Sequence, residues 1–178
     1  MDITRSQLSH STSMNIEGRT KPTVSADYIV GLTDGEGCFY CLVKPPFNKN
    51  GGGIVQLSFL IKVQAEDKEI LDKVKNSLGC GAVYFQRETR PNHAQCYRYT
   101  VNSHRDILEN IIPFFRAHPL QGKTKKKNFE IFCKVAKAVK DGKHHTGPGI
   151  RLIKNLKQQM NSRTRVVRES RTLRGNAK

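Results

Sequence analysis

The stretch from Ile54 to Gln64 constrains the fold most. Val55, Leu57, Phe59, Ile61 and Val63 fall on one face, and Gln56, Ser58, Leu60 and Lys62 fall on the other. A two-residue period kept this long specifies a strand with one apolar side. Such a strand belongs to an antiparallel sheet with one covered face and one wet face. A second strand-like run, Cys38 to Lys44, precedes it and stops at Pro45-Pro46, and "NKNGGG" joins the two as a hairpin turn. "AVYFQRE" and "QCYRYTV" around "TRPNHA" predict a second hairpin. Two hairpins make a four-stranded antiparallel sheet.

Helices are expected between and after the hairpins. Ser25 is a candidate N-cap for a helix carrying Tyr28, Ile29, Val30 and Leu32, which Gly35 and Gly37 would end. "EDKEILDKVKNSLG" places Ile70, Leu71, Val74 and Leu78 on one stripe and closes on Gly79. Ser103 with Asp106 opens a helix bearing Ile107, Leu108, Ile111, Ile112 and Phe115, and "HPLQG" breaks the chain after it. Phe129, Phe132, Cys133, Ala136 and Val139 mark a further helix, and Leu152, Ile153, Leu156 and Met160 a last one. The order is αββαββ followed by helices, an α+β fold with helices covering one sheet face. The expected organisation is a disordered segment over 1–23, one domain over 24–161 and a basic tail over 162–178.

Charge narrows the function. The 178 residues carry a formal net charge of +16. It is concentrated late: residues 118–178 hold 17 Lys/Arg against 3 Asp/Glu. That asymmetry points to phosphates, and so to nucleic acid. No run approaches the ~20 apolar residues of a membrane span, so no membrane partner is expected. Five cysteines with no secretory h-region argue for reduced thiols in an intracellular compartment: bacterial or archaeal cytoplasm, mitochondrion or chloroplast. Cys38 and Cys41 lie three apart on a strand, hence on opposite faces, and no second pair follows to complete a zinc site.

The motif that carries chemistry is Ile29-Val30-Gly31-Leu32-Thr33-Asp34-Gly35-Glu36-Gly37. It resembles, position by position, the nine-residue motif of the LAGLIDADG homing endonucleases, with Thr33 where that pattern has an apolar residue. The resemblance extends over roughly residues 25–140. It implies the LAGLIDADG homing-endonuclease fold (αββαββα), whose four-stranded sheet binds DNA. It also implies a site-specific double-strand DNA endonuclease that hydrolyses phosphodiester bonds and promotes the mobility of its host intron.

The motif's chemistry follows from its residues. The negative pole of a helix is a poor place for Asp34 and Glu36 unless a cation joins them. A hard divalent ion suits carboxylate and carbonyl oxygens, so Mg²⁺ is the expected cofactor, with Mn²⁺ or Ca²⁺ able to occupy the same site. The resemblance makes Glu36 the metal ligand, often Asp in the family, with the Gly35 carbonyl facing the same ion and Asp34 as a supporting acid. It implies a lysine near the scissile phosphate: Lys123, with Lys125 as the alternative one slip away. The polar residue that often follows the second strand falls at Ala65, beside Gln64.

One motif copy implies a homodimer on a long, near-palindromic double-stranded target, because two strands need two sites. The motif helices would pack through Ile29, Gly31 and Leu32, with Gly31 permitting close approach. Base readout is expected on the open sheet face from Tyr40, Leu42, Lys44, Gln56, Ser58, Lys62, Tyr84 and Gln86. The fourth strand reads two ways: family spacing selects Gln95 and Tyr97, whereas chemistry selects Arg98, which can bond guanine bidentately. RNA binding is open to the same basic surface, so an intron maturase and a non-catalytic DNA-binding regulator are the rival functions.

Overall fold

The computed structural model describes residues 21–44 and 51–160. The sequence expectations for a disordered N-terminal segment, for the proline stop and most of the first turn, and for a basic tail fall largely outside the described residues.

The chain folds as α1 (Ala26–Glu36), β1 (Gly37–Lys44), β2 (Ile54–Gln64), α2 (Lys68–Leu78), β3 (Ala82–Gln86) and β4 (Cys96–Val101). Then come α3 (His104–Asp106), a π-helical segment (Ile107–Ile111), α4 (Ile112–Ala117), α5 (Lys123–Lys140) and α6 (Gly147–Met160). The strands form one antiparallel sheet in the order β1-β2-β4-β3, so the two hairpins meet through β2 and β4.

Local chemistry sets the element ends. The Ser25 hydroxyl accepts the Tyr28 N–H at 3.2 Å and caps α1. Gly37 closes α1 because nothing larger fits: a Cβ there would lie 2.5 Å from the Thr33 methyl carbon and 2.6 Å from its carbonyl oxygen. Gly79 ends α2 in the left-handed conformation (φ 68°) that favours glycine. Ser103 Oγ accepts the Asp106 N–H at 3.2 Å. The helix expected from there widens into π turns over Ile107–Ile111, just before Pro113, which has no N–H to return to the preceding turn.

The core lies between the sheet and the helices. Phe39 of β1 is its centre, with ring centroids 5.1 Å from Phe59, 5.1 Å from Phe129, 5.4 Å from Phe132 and 5.5 Å from Phe115. Such pairs add about 0.5–1.5 kcal/mol each beyond the area they bury. This cluster joins β1 and β2 to α4 and α5, and so holds the first hairpin and the later helices in one body. Cys41 lies on this covered face, where burial pushes its thiol up to about 11, while Cys38 is exposed on the opposite face. No helix among the described residues is long and apolar enough to cross a membrane.

Candidate functional site

The motif ends where α1 runs into β1. Glu36 is the last residue of α1 and is exposed, with no hydrogen-bond partner among the described residues. The last turn of α1 holds no basic residue, so two carboxylates stand unneutralised by the helix itself at its negative pole. Asp34 points elsewhere than Glu36. Its Oδ2 accepts the Gln121 N–H at 2.7 Å, from the loop before α5, and its Oδ1 is buried without a partner. The ammonium of Lys125, in the first turn of α5, donates to the Gly37 carbonyl. Glu36 and Lys125 are thereby assembled at one corner of the fold. Lys123 is exposed and makes no such contact, so of the two expected lysines the helical phase of α5 delivers Lys125.

Thr33 departs from the motif's apolar pattern and is fully buried, with its hydroxyl unpaired. The expected interface residues separate. Ile29 is 0% exposed and belongs to the core of its own chain, which corrects its assignment to the interface. Gly31 is exposed, and a Cβ built on it would meet nothing within 4 Å. Leu32 is half-buried. The open side of α1 is therefore Tyr28, Gly31 and Gly35, one turn apart, with exposed Asp27 beside them in the first turn.

Strand register decides the open sheet face. Tyr40 is opposite Ser58, Leu42 opposite Gln56 and Lys44 opposite Ile54. Lys62 pairs with Arg98, and Arg98 with Tyr84; Cys96 pairs with Gln86. Tyr40, Leu42, Lys44, Gln56, Lys62, Tyr84, Gln86 and Arg98 thus share one face. A groove of about 450 Å³ runs between Tyr40, Tyr84, Gln56 and Arg98. Tyr84 is 58% exposed, a large aromatic held out into solvent.

Tyr97 is on the other face, and this corrects the reading by family spacing. Its ring packs edge-on to Phe85 at 5.3 Å, and the Lys68 ammonium of α2 sits 5.6 Å from the ring centroid. Gln95 precedes β4 and ties off the turn: its Oε1 accepts the Glu88 N–H and its amide donates to the Glu88 carbonyl, each at 3.1 Å. Arg90 clamps the same turn through the Glu88 carboxylate, holding it down at about 2. Ser58 is on the open face but only 4% exposed, and its hydroxyl donates to Asn102 Oδ1 at 2.6 Å.

Asn102 itself lines the groove, as do Leu60 and Thr100, none of which sequence reasoning selected for readout. The signal was present for Asn102, which continues the Cys96, Arg98, Thr100 alternation by one step. The polar position expected after β2 is Ala65, which begins a 3-10 turn and donates its N–H to the Gln95 carbonyl at 2.8 Å, while Gln64 stays exposed.

Comparison with known proteins agrees with this arrangement. A protein-family model described as LAGLIDADG endonuclease matches residues 29–136. A protein of Mycosarcoma maydis named "Probable intron-encoded DNA endonuclease 1" is 28% identical over 117 residues, covering 66% of this chain and 39% of that protein. "Probable intron-encoded endonuclease 3" of Neurospora crassa is 29% identical over 132 residues, covering 74% of this chain and 24% of that protein. The matched part of these curated relatives is well under half their length. Among solved structures, the homing endonuclease I-TnaI superimposes with a TM-score of 0.67 at 30% identity, over 78% of this chain and 89% of that one. I-SmaMI bound to cleaved DNA gives 0.69 at 28% identity, over 78% of this chain and 44% of that one. The motif at the end of α1, the αββαββ order and the extent of the family match together place the chain in the LAGLIDADG endonuclease family.

Proposed function

We propose that the protein is a site-specific DNA endonuclease that depends on a divalent metal, works as a pair of identical chains and serves the mobility of an intron. The observation that carries this reading is the exposed, unpartnered Glu36 at the negative end of α1, with Lys125 held at the adjoining carbonyl of Gly37. The names of the relatives and the DNA in the I-SmaMI structure support it.

The donor set suits a hard cation, since a carboxylate and neighbouring carbonyls are oxygen ligands. Among the described residues no group of three His, Cys, Asp or Glu could hold a metal ion. One chain thus brings one carboxylate, and the remaining ligands must come from a second copy, from DNA phosphates or from water. A divalent ion held there, Mg²⁺ by our reading, supplies charge neutralisation and activation of water at the scissile phosphate. Glu36 holds that ion. Lys125 offers its remaining ammonium protons to phosphate or water. The open sheet face receives the duplex in its major groove, which admits strands as well as helices. Arg98, Lys62, Gln56, Tyr84 and Tyr40 are placed to read or grip it.

Pairing follows from two features. Each chain cuts one strand, and the open side of α1 at Gly31 leaves room for a second helix. This chain covers 44% of the I-SmaMI chain, so two copies approach that protein's size. The test is plasmid DNA carrying the intron-free insertion locus, incubated with the protein with and without Mg²⁺. Double-strand cleavage at one site, dependent on metal, is expected. Metal-independent binding with no nick would leave a DNA-binding regulator, and preference for the intron transcript would leave a maturase.

A further inference from the structure

Asp34 and Glu36 are two residues apart in one motif, yet the structure gives them different surroundings. Glu36 is exposed and unpaired. Asp34 reaches across 87 residues of sequence to the start of α5, where Oδ2 accepts the Gln121 N–H at 2.7 Å. That helix lacks its own cap. Gly122 stands at its N-cap position with no side-chain acceptor, and its first turn contains no acidic residue. The first N–H groups of a helix have no partner within it, and its positive pole favours a carboxylate. Gly122 also makes room, for a Cβ there would come within 3.1 Å of Asp34 Oδ1. One turn on, Lys125 donates to the Gly37 carbonyl. The end of α1 and the entry to α5 are thus joined by two bonds, both donated from the α5 side.

We propose that Asp34 is a positioning residue: it anchors the loop that enters α5, through the Gln121 N–H and beside the positive pole of that helix, and so holds Lys125 beside Glu36, without itself serving as a metal ligand. The proposal rests on the endonuclease reading for its catalytic consequence, but not for the anchor. Loss of one hydrogen bond to a charged acceptor loosens a local contact by roughly tenfold.

The experiment compares D34A, D34N, E36Q, K125A and the D34A/K125A double variant in the full chain. Hydrogen exchange at the Gln121 amide is measured without DNA; single-turnover nicking and DNA affinity are measured with Mg²⁺. Asn keeps an acceptor for Gln121 and loses the charge. We expect D34A to lose Gln121 protection and to slow nicking by about tenfold at unchanged DNA affinity, with D34N restoring both. We also expect D34A to cost nothing further in the K125A background, as residues acting through one another are non-additive. Should D34A fail to fold, D34N still decides. A D34N protein as inactive as E36Q with Gln121 still protected would make Asp34 a ligand and overturn the proposal. Unchanged Gln121 protection in D34A would overturn it too. A wild-type protein that cuts no DNA would end the nuclease reading and leave hydrogen exchange to judge the anchor.

Discussion

The two helices that follow the same rule in each αββ unit, α1 and α2, are finished differently. α2 is amphipathic in the ordinary way. Leu71, Val74 and Leu78 are buried, and Lys68, Glu69, Asp72, Lys73 and Lys75 are among the rest, with Lys68 and Asp72 paired at 2.6 Å. α1 buries Ile29, Val30 and Thr33 but turns Tyr28, Gly31 and Gly35 outward. A helix meant only for water would carry charge all along that side, as α2 does, whereas α1 has only Asp27 beside it, in its first turn. The rest of that side of α1 has the shape of a surface waiting for another helix, and Asp34 and Glu36 are at the end that such a pairing would bring together. The same supersecondary unit thus supplies a scaffold helix in one half and, in the function we propose, a working helix in the other.

The largest effect that would sharpen this contrast is at Glu36. Glu36→Gln keeps the size of the side chain and removes the charge that holds a cation. Nicking should fall by at least about a hundredfold, while binding of the target measured by gel shift stays close to wild type. Cleavage near the wild-type rate would remove α1 from the chemistry.

Next comes the outward side of α1. Gly31→Leu should weaken self-association by about 1–3 kcal/mol, seen as a shift to monomer in sedimentation at low micromolar protein, with thermal unfolding of the monomer little changed. The same bulk on α2, as Glu69→Leu, should leave assembly alone. A G31L protein that remains an active dimer would erase the distinction between the two helices.

α2 also defines what the sheet can show to DNA, since it covers Tyr97 and leaves Arg98 on the far side. Arg98→Ala should cost about 1–3 kcal/mol of discrimination at one base pair, measured by competition between cognate and singly substituted duplexes. Tyr97→Phe should not change that profile. A specificity change in Y97F alone would mean that the strand meets DNA by its other face.

The smallest effect concerns the inner side of α1. The buried residues of α2 are all apolar, but α1 buries the unpaired hydroxyl of Thr33. Thr33→Val removes it without altering the branching. We expect a gain of about 1 kcal/mol, or roughly 2–4 °C in Tm for a chain of this size. A loss of stability would show that the hydroxyl has a partner on assembly.

Periodicity made much of this legible. In β2 the five apolar positions alternate with largely polar ones, Leu60 excepted, so the covered face could be read directly, and the pairing then assigned β1. β4 resisted because both its faces are amphipathic: Tyr97 and Tyr99 alternate with Arg98 and Thr100. Only the pairing of Lys62 with Arg98 settled which side is open. α1 resisted for a related reason. Its run from Tyr28 to Leu32 is apolar on every side, and nothing local says that Ile29 faces inward while Gly31 faces out.

The sequence by itself determined the element order, the motif and its acids, the helix caps at Ser25 and Ser103, and the basic character of the second part of the chain. These depend on spacing and residue type within a few positions, where local sterics and hydrogen bonding decide. Tertiary structure alone decided that Lys125 and not Lys123 meets the end of α1, that Asp34 is spent on Gln121, and that Ser58 is turned into Asn102. Each of these depends on the rotation and register of elements packed from distant parts of the chain. A single step along α5 turns a side chain by about 100°, so two lysines in one helical turn have different fates that neither residue's neighbours in sequence can announce.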